Sequence, residues 1–159
     1  MTEGSGIRAK PCVVMELSIA GFSMKTKSTP SRAPVEHFGR PNLKGQPLPF
    51  SDAVRIGDTL YLSGQLGIGG DGKLPEGIEA QTRQALDNIG AVLKRAGLSY
   101  GDVFHCTAFL SDMANWPVFN KIYVPYFPAG KLPARSAFGA SGLALGGLIE
   151  LECQAYAGK

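Results

Sequence analysis

Nothing in this 159-residue sequence approaches the run of about 18 apolar residues that a membrane-spanning helix requires, so no partnership with a membrane is expected. Charge is also scarce: 18% of residues are Asp, Glu, Lys or Arg, against about 25% in an average soluble domain. The net charge of +3 arises entirely within residues 1–35, where Arg8, Lys10, Lys25, Lys27 and Arg32 outnumber Glu3 and Glu16. Beyond that point acidic and basic residues balance and form no Lys/Arg cluster. A domain that grips phosphates carries a basic face on its folded part, so nucleic-acid binding is not expected. The three cysteines, Cys12, Cys106 and Cys153, are odd in number and include no CxxC pair. That excludes a disulfide framework and reads as buried thiols in a reducing, cytoplasmic compartment. With His37 and His105 the only histidines and no H-x-E…P-C-x-x-C pattern, a zinc deaminase site is excluded and no metal is expected.

What the sequence does hold is apolar residues at 44%, with 21 Gly and 11 Pro. That composition fits one globular domain of short elements joined by many turns. Residues 1–40 read as a flexible N-terminal extension and residues 41–159 as the domain. Within the extension, the segment KTKSTPSRAP (25–34) is polar and proline-containing, as in a linker. Residues 11–24 imitate the apolar core of a signal peptide, but Glu16 interrupts them and no A-x-A-like site follows, so a cleaved leader is not expected. Met15 and Met24 are alternative starts.

From Phe50 onward the hydrophobic periodicity predicts strands over 51–56 and 59–65, joined at Gly57-Asp58. A helix is expected over 77–96, where Ile78, Ala85, Ile89, Val92, Leu93 and Ala96 share a face and Gly97 closes the end. The run VFHCTAFL (103–110) predicts a strand covered on both faces, because it hardly alternates. A second helix is expected over 116–127, with Pro117 in its first turn and Trp116, Phe119, Ile122, Tyr123 and Tyr126 near one side. Strands over 134–140 and 148–157 complete the order β-β-α-β-α-β-β. This is an α+β domain, one mixed sheet packed by two helices.

Few motifs carry chemistry. Gly67, Gly69 and Gly72 match G-x-G-x-x-G, but Lys73, Leu74 and Pro75 precede the helix and no acidic residue ends a second parallel strand, so a turn is expected. Residues 139–143 (GASGL) imitate a nucleophile elbow but end in Leu where Gly is needed. His105 reads as a core histidine. Glu150 and Glu152 share one face of the last strand, about 7 Å apart. That face suits either solvent or a ligand or partner, and the residues alone leave both open. Arg135 opens a strand after a proline-rich turn. A guanidinium holds a carboxylate through two parallel bonds, which favours Arg over Lys at a small-acid site. Taken alone, a surface salt bridge is its commoner role.

Together these segments become specific. LPFSDAV with Phe50, YLSGQLG with Ser63 and Gly64, QTRQALDNIGAVLKRAGL, FNKIYVPYF with Asn120 and Tyr123, PARSAFG with Arg135 and IELECQA with Glu150 resemble, in order and spacing, the Rid family of YjgF-like reactive-intermediate deaminases. The resemblance covers about residues 47–157. It implies a chorismate-mutase-like α+β fold, a homotrimer with sites between subunits, no cofactor and no metal. It also implies hydrolysis of enamines and imines such as 2-aminoacrylate to 2-oxo acids and ammonia. The family's carboxylate-binding arginine falls on Arg135 and its water-orienting glutamate on Glu150. Phe50, Ser63, Gly64, Asn120 and the main chain of Ala137 are expected to line the cleft. Phe50 stands where Tyr is common and Ala137 where Cys is common. A trimer that only binds small acids or acts as a chaperone, and an endoribonuclease, are the other activities considered.

Overall fold

The computed structural model describes residues 33–39 and 48–158, all within the unit spanning residues 32–159. The expectations placed on residues 1–32, Cys12 and the alternative starts among them, lie outside the described residues. Nine elements follow one another: β1 (Val35–Phe38), β2 (Ala53–Ile56), β3 (Thr59–Leu62), β4 (Gln65–Leu66), α1 (Gly77–Arg95), β5 (Val103–Leu110), α2 (Trp116–Tyr123), β6 (Ala134–Gly139) and β7 (Ile149–Tyr156). The strands form one mixed sheet in the order β1-β2-β3-β7-β5-β6, with β4 also paired to β7. The α+β reading therefore holds.

The pair β5–β6 is parallel and the others are antiparallel. Parallel neighbours need a crossover, and here α2 supplies it. Both helices pack on the same core as one face of the sheet. Leu86, Ile89, Val92 and Leu93 of α1 and Phe119 and Ile122 of α2 meet Cys106, Ala108, Leu110, Ile149, Leu151 and Ala155 there. Along β7 the alternation is complete: Ile149, Leu151, Cys153 and Ala155 are buried, while Glu150, Glu152 and Gln154 are half-buried on the other face.

The helix ends follow local chemistry. Gly97, at φ 75°, closes α1 with its N–H donating to Lys94 O at 3.1 Å and the Leu98 N–H to Leu93 O at 2.9 Å, a left-handed cap that glycine makes without strain. The α-helical part of α2 stops at Tyr123, and Val124–Tyr126 continues as a single 3₁₀ turn around Pro125, which has no N–H to donate. No helix among the described residues is long and apolar enough to cross a membrane.

Four features depart from the expectations. Strand β1 lies within the stretch read as extension, yet pairs with β2 along its whole length. The strand expected over 59–65 breaks at Ser63-Gly64, where the Ser63 N–H turns back to Asp52 O at 2.9 Å. Cys106 and Cys153 are bonded as a disulfide rather than standing as separate thiols, because the β5–β7 register sets them directly opposite each other. Finally, among the described residues helices cover β5 on one face only. A bulge between Val103 and His105 turns His105 onto the uncovered face beside Gln154, which corrects its reading as a core histidine.

Candidate active site

Arg135 is the second residue of β6, which pairs with β5 alone among the described strands. Its register neighbour is Cys106, so the side chain emerges on the helix face and meets α2. The guanidinium carbon lies 4.6 Å from the Trp116 ring centroid, 5.2 Å from Phe119 and 4.5 Å from Tyr123. One Nη2 hydrogen goes to Asn120 Oδ1 at 2.7 Å. Because guanidinium only donates, that bond fixes which end of the Asn120 amide faces it. Among the described residues no carboxylate pairs with Arg135. The ion pair there joins Arg95 to the fully buried Asp52 instead. A half-buried cation held by rings and one amide keeps donors to offer an anion.

Glu150 lies on the opposite face of the same sheet. Its register neighbours are Leu66 on β4 and Phe109 on β5, and the row continues to Phe138 on β6. Phe109 and Phe138 stack at 6.3 Å between centroids, and Phe138 is 55% exposed. Burial pushes the Glu150 carboxyl above its ordinary pKa, and the neighbouring negative charge of Glu152 adds to the rise. The carboxyl passes so close to the Gly64 backbone that a Cβ on residue 64 would collide with it. A site there needs glycine for room, not for a turn.

Of the residues singled out from sequence, two groups are brought together. Arg135, Asn120 and Ala137 form one: Ala137, two places on from Arg135, faces the core beside Ala108. Glu150, Gly64 and Ser63 form the other. Ser63 Oγ donates to Ser51 O at 2.7 Å, which ties the segment carrying Phe50 to the same turn. Phe50 itself is 53% exposed. Arg135 and Glu150 are not brought together within one chain, since the sheet lies between them.

The sequence reading placed Trp116, Phe119 and Tyr123 on one helix face without assigning them to Arg135. Their spacing is that of any core-facing stripe, and the partner emerges only from the crossover geometry. The glycine run behaves as a turn, with the Gly72 N–H donating to Gly69 O at 2.9 Å. Ser141 is exposed in the loop after β6 and builds no nucleophile site.

Comparison with known proteins identifies the family. A model of the family described as Endoribonuclease L-PSP matches residues 45–157. A mouse protein named 2-iminobutanoate/2-iminopropanoate deaminase is 40% identical over 112 residues, 69% of this chain and 82% of its own length. Reactive Intermediate Deaminase A, chloroplastic, from Arabidopsis thaliana is 42% identical over 107 residues, 66% of this chain and 57% of its own. Among solved structures, the Rid-family protein YyfA of Yersinia pestis superposes with a TM-score of 0.72 at 38% identity, covering 77% of this chain and 99% of that one. With a family match over residues 45–157 and a shared fold, the chain belongs to the Endoribonuclease L-PSP family, the Rid proteins.

Proposed function

We propose that the protein hydrolyses small 2-imino acids and their enamine tautomers, such as 2-aminoacrylate, to 2-oxo acids and ammonia, at sites shared between copies of a homotrimer. The observation that carries this reading is Arg135: a half-buried guanidinium gripped by three rings and Asn120, with no carboxylate partner among the described residues. Relatives at about 40% identity named as imine deaminases support the same chemistry.

The reaction asks little of the protein, because an imine carbon is already electrophilic. Arg135 binds the substrate carboxylate and fixes the C=N carbon in place. Glu150, as carboxylate, accepts a hydrogen bond from water and takes its proton as the oxygen adds to that carbon. The C=N electron pair passes to nitrogen, which is protonated. The hydroxyl proton of the resulting carbinolamine then passes to the nitrogen, the C–N bond breaks to release ammonia, and C=O forms. A raised pKa makes Glu150 a better base near neutral pH than an ordinary carboxylate. The main chain of Ala137, the Ser63-Gly64 turn and Phe50 line the cleft in this reading. None of these steps calls for a metal or cofactor.

A trimer accommodates the two faces. If Arg135 and Glu150 act on one substrate, they come from different copies, and a head-to-tail interface closing as a three-membered ring repeats that pairing three times. The uncovered face with Phe109 and Phe138 supplies apolar surface for such contacts. The balanced charge after residue 35 favours a small acid over RNA as substrate. The cytoplasm is the proposed location, and there the full burial of the Cys106–Cys153 bond would shield it from reducing thiols.

Subunit complementation tests this reading. Arg135→Ala and Glu150→Gln chains are each expected to be nearly inactive on 2-iminobutanoate generated in situ. Denatured and refolded together in equal amounts, they should regain about a quarter of wild-type activity, because one site in four then draws both intact residues from different copies. A mixture as dead as its components rejects the shared site, and full activity in either single variant rejects the assigned residue.

A further inference from the structure

The three rings that α2 carries converge on the Arg135 guanidinium, which has no carboxylate partner among the described residues. Trp116, Phe119 and Tyr123 follow one another at helical spacing, and Asn120 sits one turn on from Trp116. A guanidinium has two flat, weakly hydrated faces that favour stacking and an edge that carries all its N–H donors. Rings packed against it at 4.5 to 5.2 Å restrict the side chain to a narrow range of orientations, and Asn120 occupies one Nη2 hydrogen. What remains for a ligand is an edge already aimed. Burial pushes the Tyr123 hydroxyl up to about 12, so that ring stays a neutral phenol and leaves the charge of Arg135 to the ligand. Phe119 and Tyr123 are buried in the core and serve the fold as well. Trp116 is only half-buried and heads a short helix, and it is the single tryptophan of the chain.

We propose that Trp116 is a positioning residue, the outer wall of an aromatic seat that holds Arg135 edge-on to the carboxylate of a small 2-oxo or 2-imino acid, and that its fluorescence reports occupancy of that site. This rests on reading Arg135 as the carboxylate clamp. A seat that prepays the ordering of a long, flexible side chain lowers the entropic cost of each binding event, in the ground state and the transition state alike. Loss of the seat therefore raises KM and leaves kcat in place. Phenylalanine at 116 keeps a ring face for the cation, whereas leucine keeps bulk and loses it.

The test uses the full chain with 2-oxobutanoate as probe. Titration should change the tryptophan fluorescence saturably, with a midpoint equal to the Kd from calorimetry, and Arg135→Ala should abolish both signals. Trp116→Leu should raise that Kd, and the KM for 2-iminobutanoate, by about tenfold, with kcat within about twofold of wild type; Trp116→Phe should restore most of the loss. An unchanged Kd and KM in Trp116→Leu, beside a dead Arg135→Ala, overturns the seat and leaves the clamp standing. Loss of kcat together with thermal stability in Trp116→Leu, not rescued by Trp116→Phe, overturns positioning in favour of a packing role. Normal binding by Arg135→Ala removes the clamp itself.

Discussion

The two candidate halves of the site lie on opposite faces of one sheet, and the chain finishes only one of them. On the helix face Arg135 is walled by Trp116, Phe119 and Tyr123 and bonded to Asn120, all from the same chain. On the other face Glu150 is half-buried in a row that ends in an exposed phenylalanine, with another carboxylate two residues away. In the proposed site the built half binds the substrate carboxylate and a second copy covers the other half. Three rings on the cation and an acid facing outward suit the proposal that the site closes on association rather than on folding.

The sharpest way to break the comparison is at Arg135. Removing the guanidinium deletes the only charge-assisted contact proposed for the substrate, and Arg135→Ala should lower kcat/KM by about a thousandfold, since losing one partner of a desolvated charge pair costs roughly 2–5 kcal/mol. Steady-state kinetics on 2-iminobutanoate measures it, with calorimetry of 2-oxobutanoate as a control for binding. Arg135→Lys should recover little, because an ammonium cannot offer two parallel bonds or stack on three rings.

Glu150→Gln comes next. It keeps shape and hydrogen bonding but removes the base, and should lower kcat by about a hundredfold, within the usual span for general bases. Binding of 2-oxobutanoate should change little. The contrast between the two variants separates binding on one face from proton transfer on the other. Gly64→Ala sharpens it further without touching a charged group. The new Cβ meets the Glu150 carboxyl, so the carboxyl must turn away, and kcat should fall by roughly tenfold, the penalty of a displaced catalytic group. Calorimetry should find the Arg135 half unaffected.

How much of this was legible in the sequence follows the same division. Period-2 and period-3.6 patterns located β7 and α1, where each side chain answers to one buried face, and β5 was found as a short apolar run without alternation. Strand β1 escaped because VEHF is short, almost wholly exposed and set at the sheet edge, so it carries no alternation to read. The Ser63-Gly64 break was hidden because both flanking segments are apolar. The Cys106–Cys153 bond depends on a register between strands 47 residues apart, which no local pattern encodes. Each motif named its residue, but not its neighbours. Arg135 was visible as an arginine after a turn, while its aromatic walls looked like ordinary core. The apolar run of β5 misled on cover, since the described residues pack helices on one of its faces only.

The finest test of the difference between the halves is electrostatic. Burial raises the Glu150 pKa first, and Glu152 raises it further by repulsion across the strand. Protonation disables a base, so kcat/KM should fall as pH drops, with an acid limb lying above the range of an ordinary glutamate. In Glu152→Gln the repulsion is gone, ionisation of Glu150 becomes easier and the limb should move to lower pH. The plateau rate should hold, since the charge of Glu152 touches the base and not the clamp. A limb that moves upward, or a Kd for 2-oxobutanoate that changes as much as the limb, would mean that the two faces share one electrostatic environment. In that case the sheet would not insulate the acid from the cation, and the division of labour between the faces would have to be redrawn.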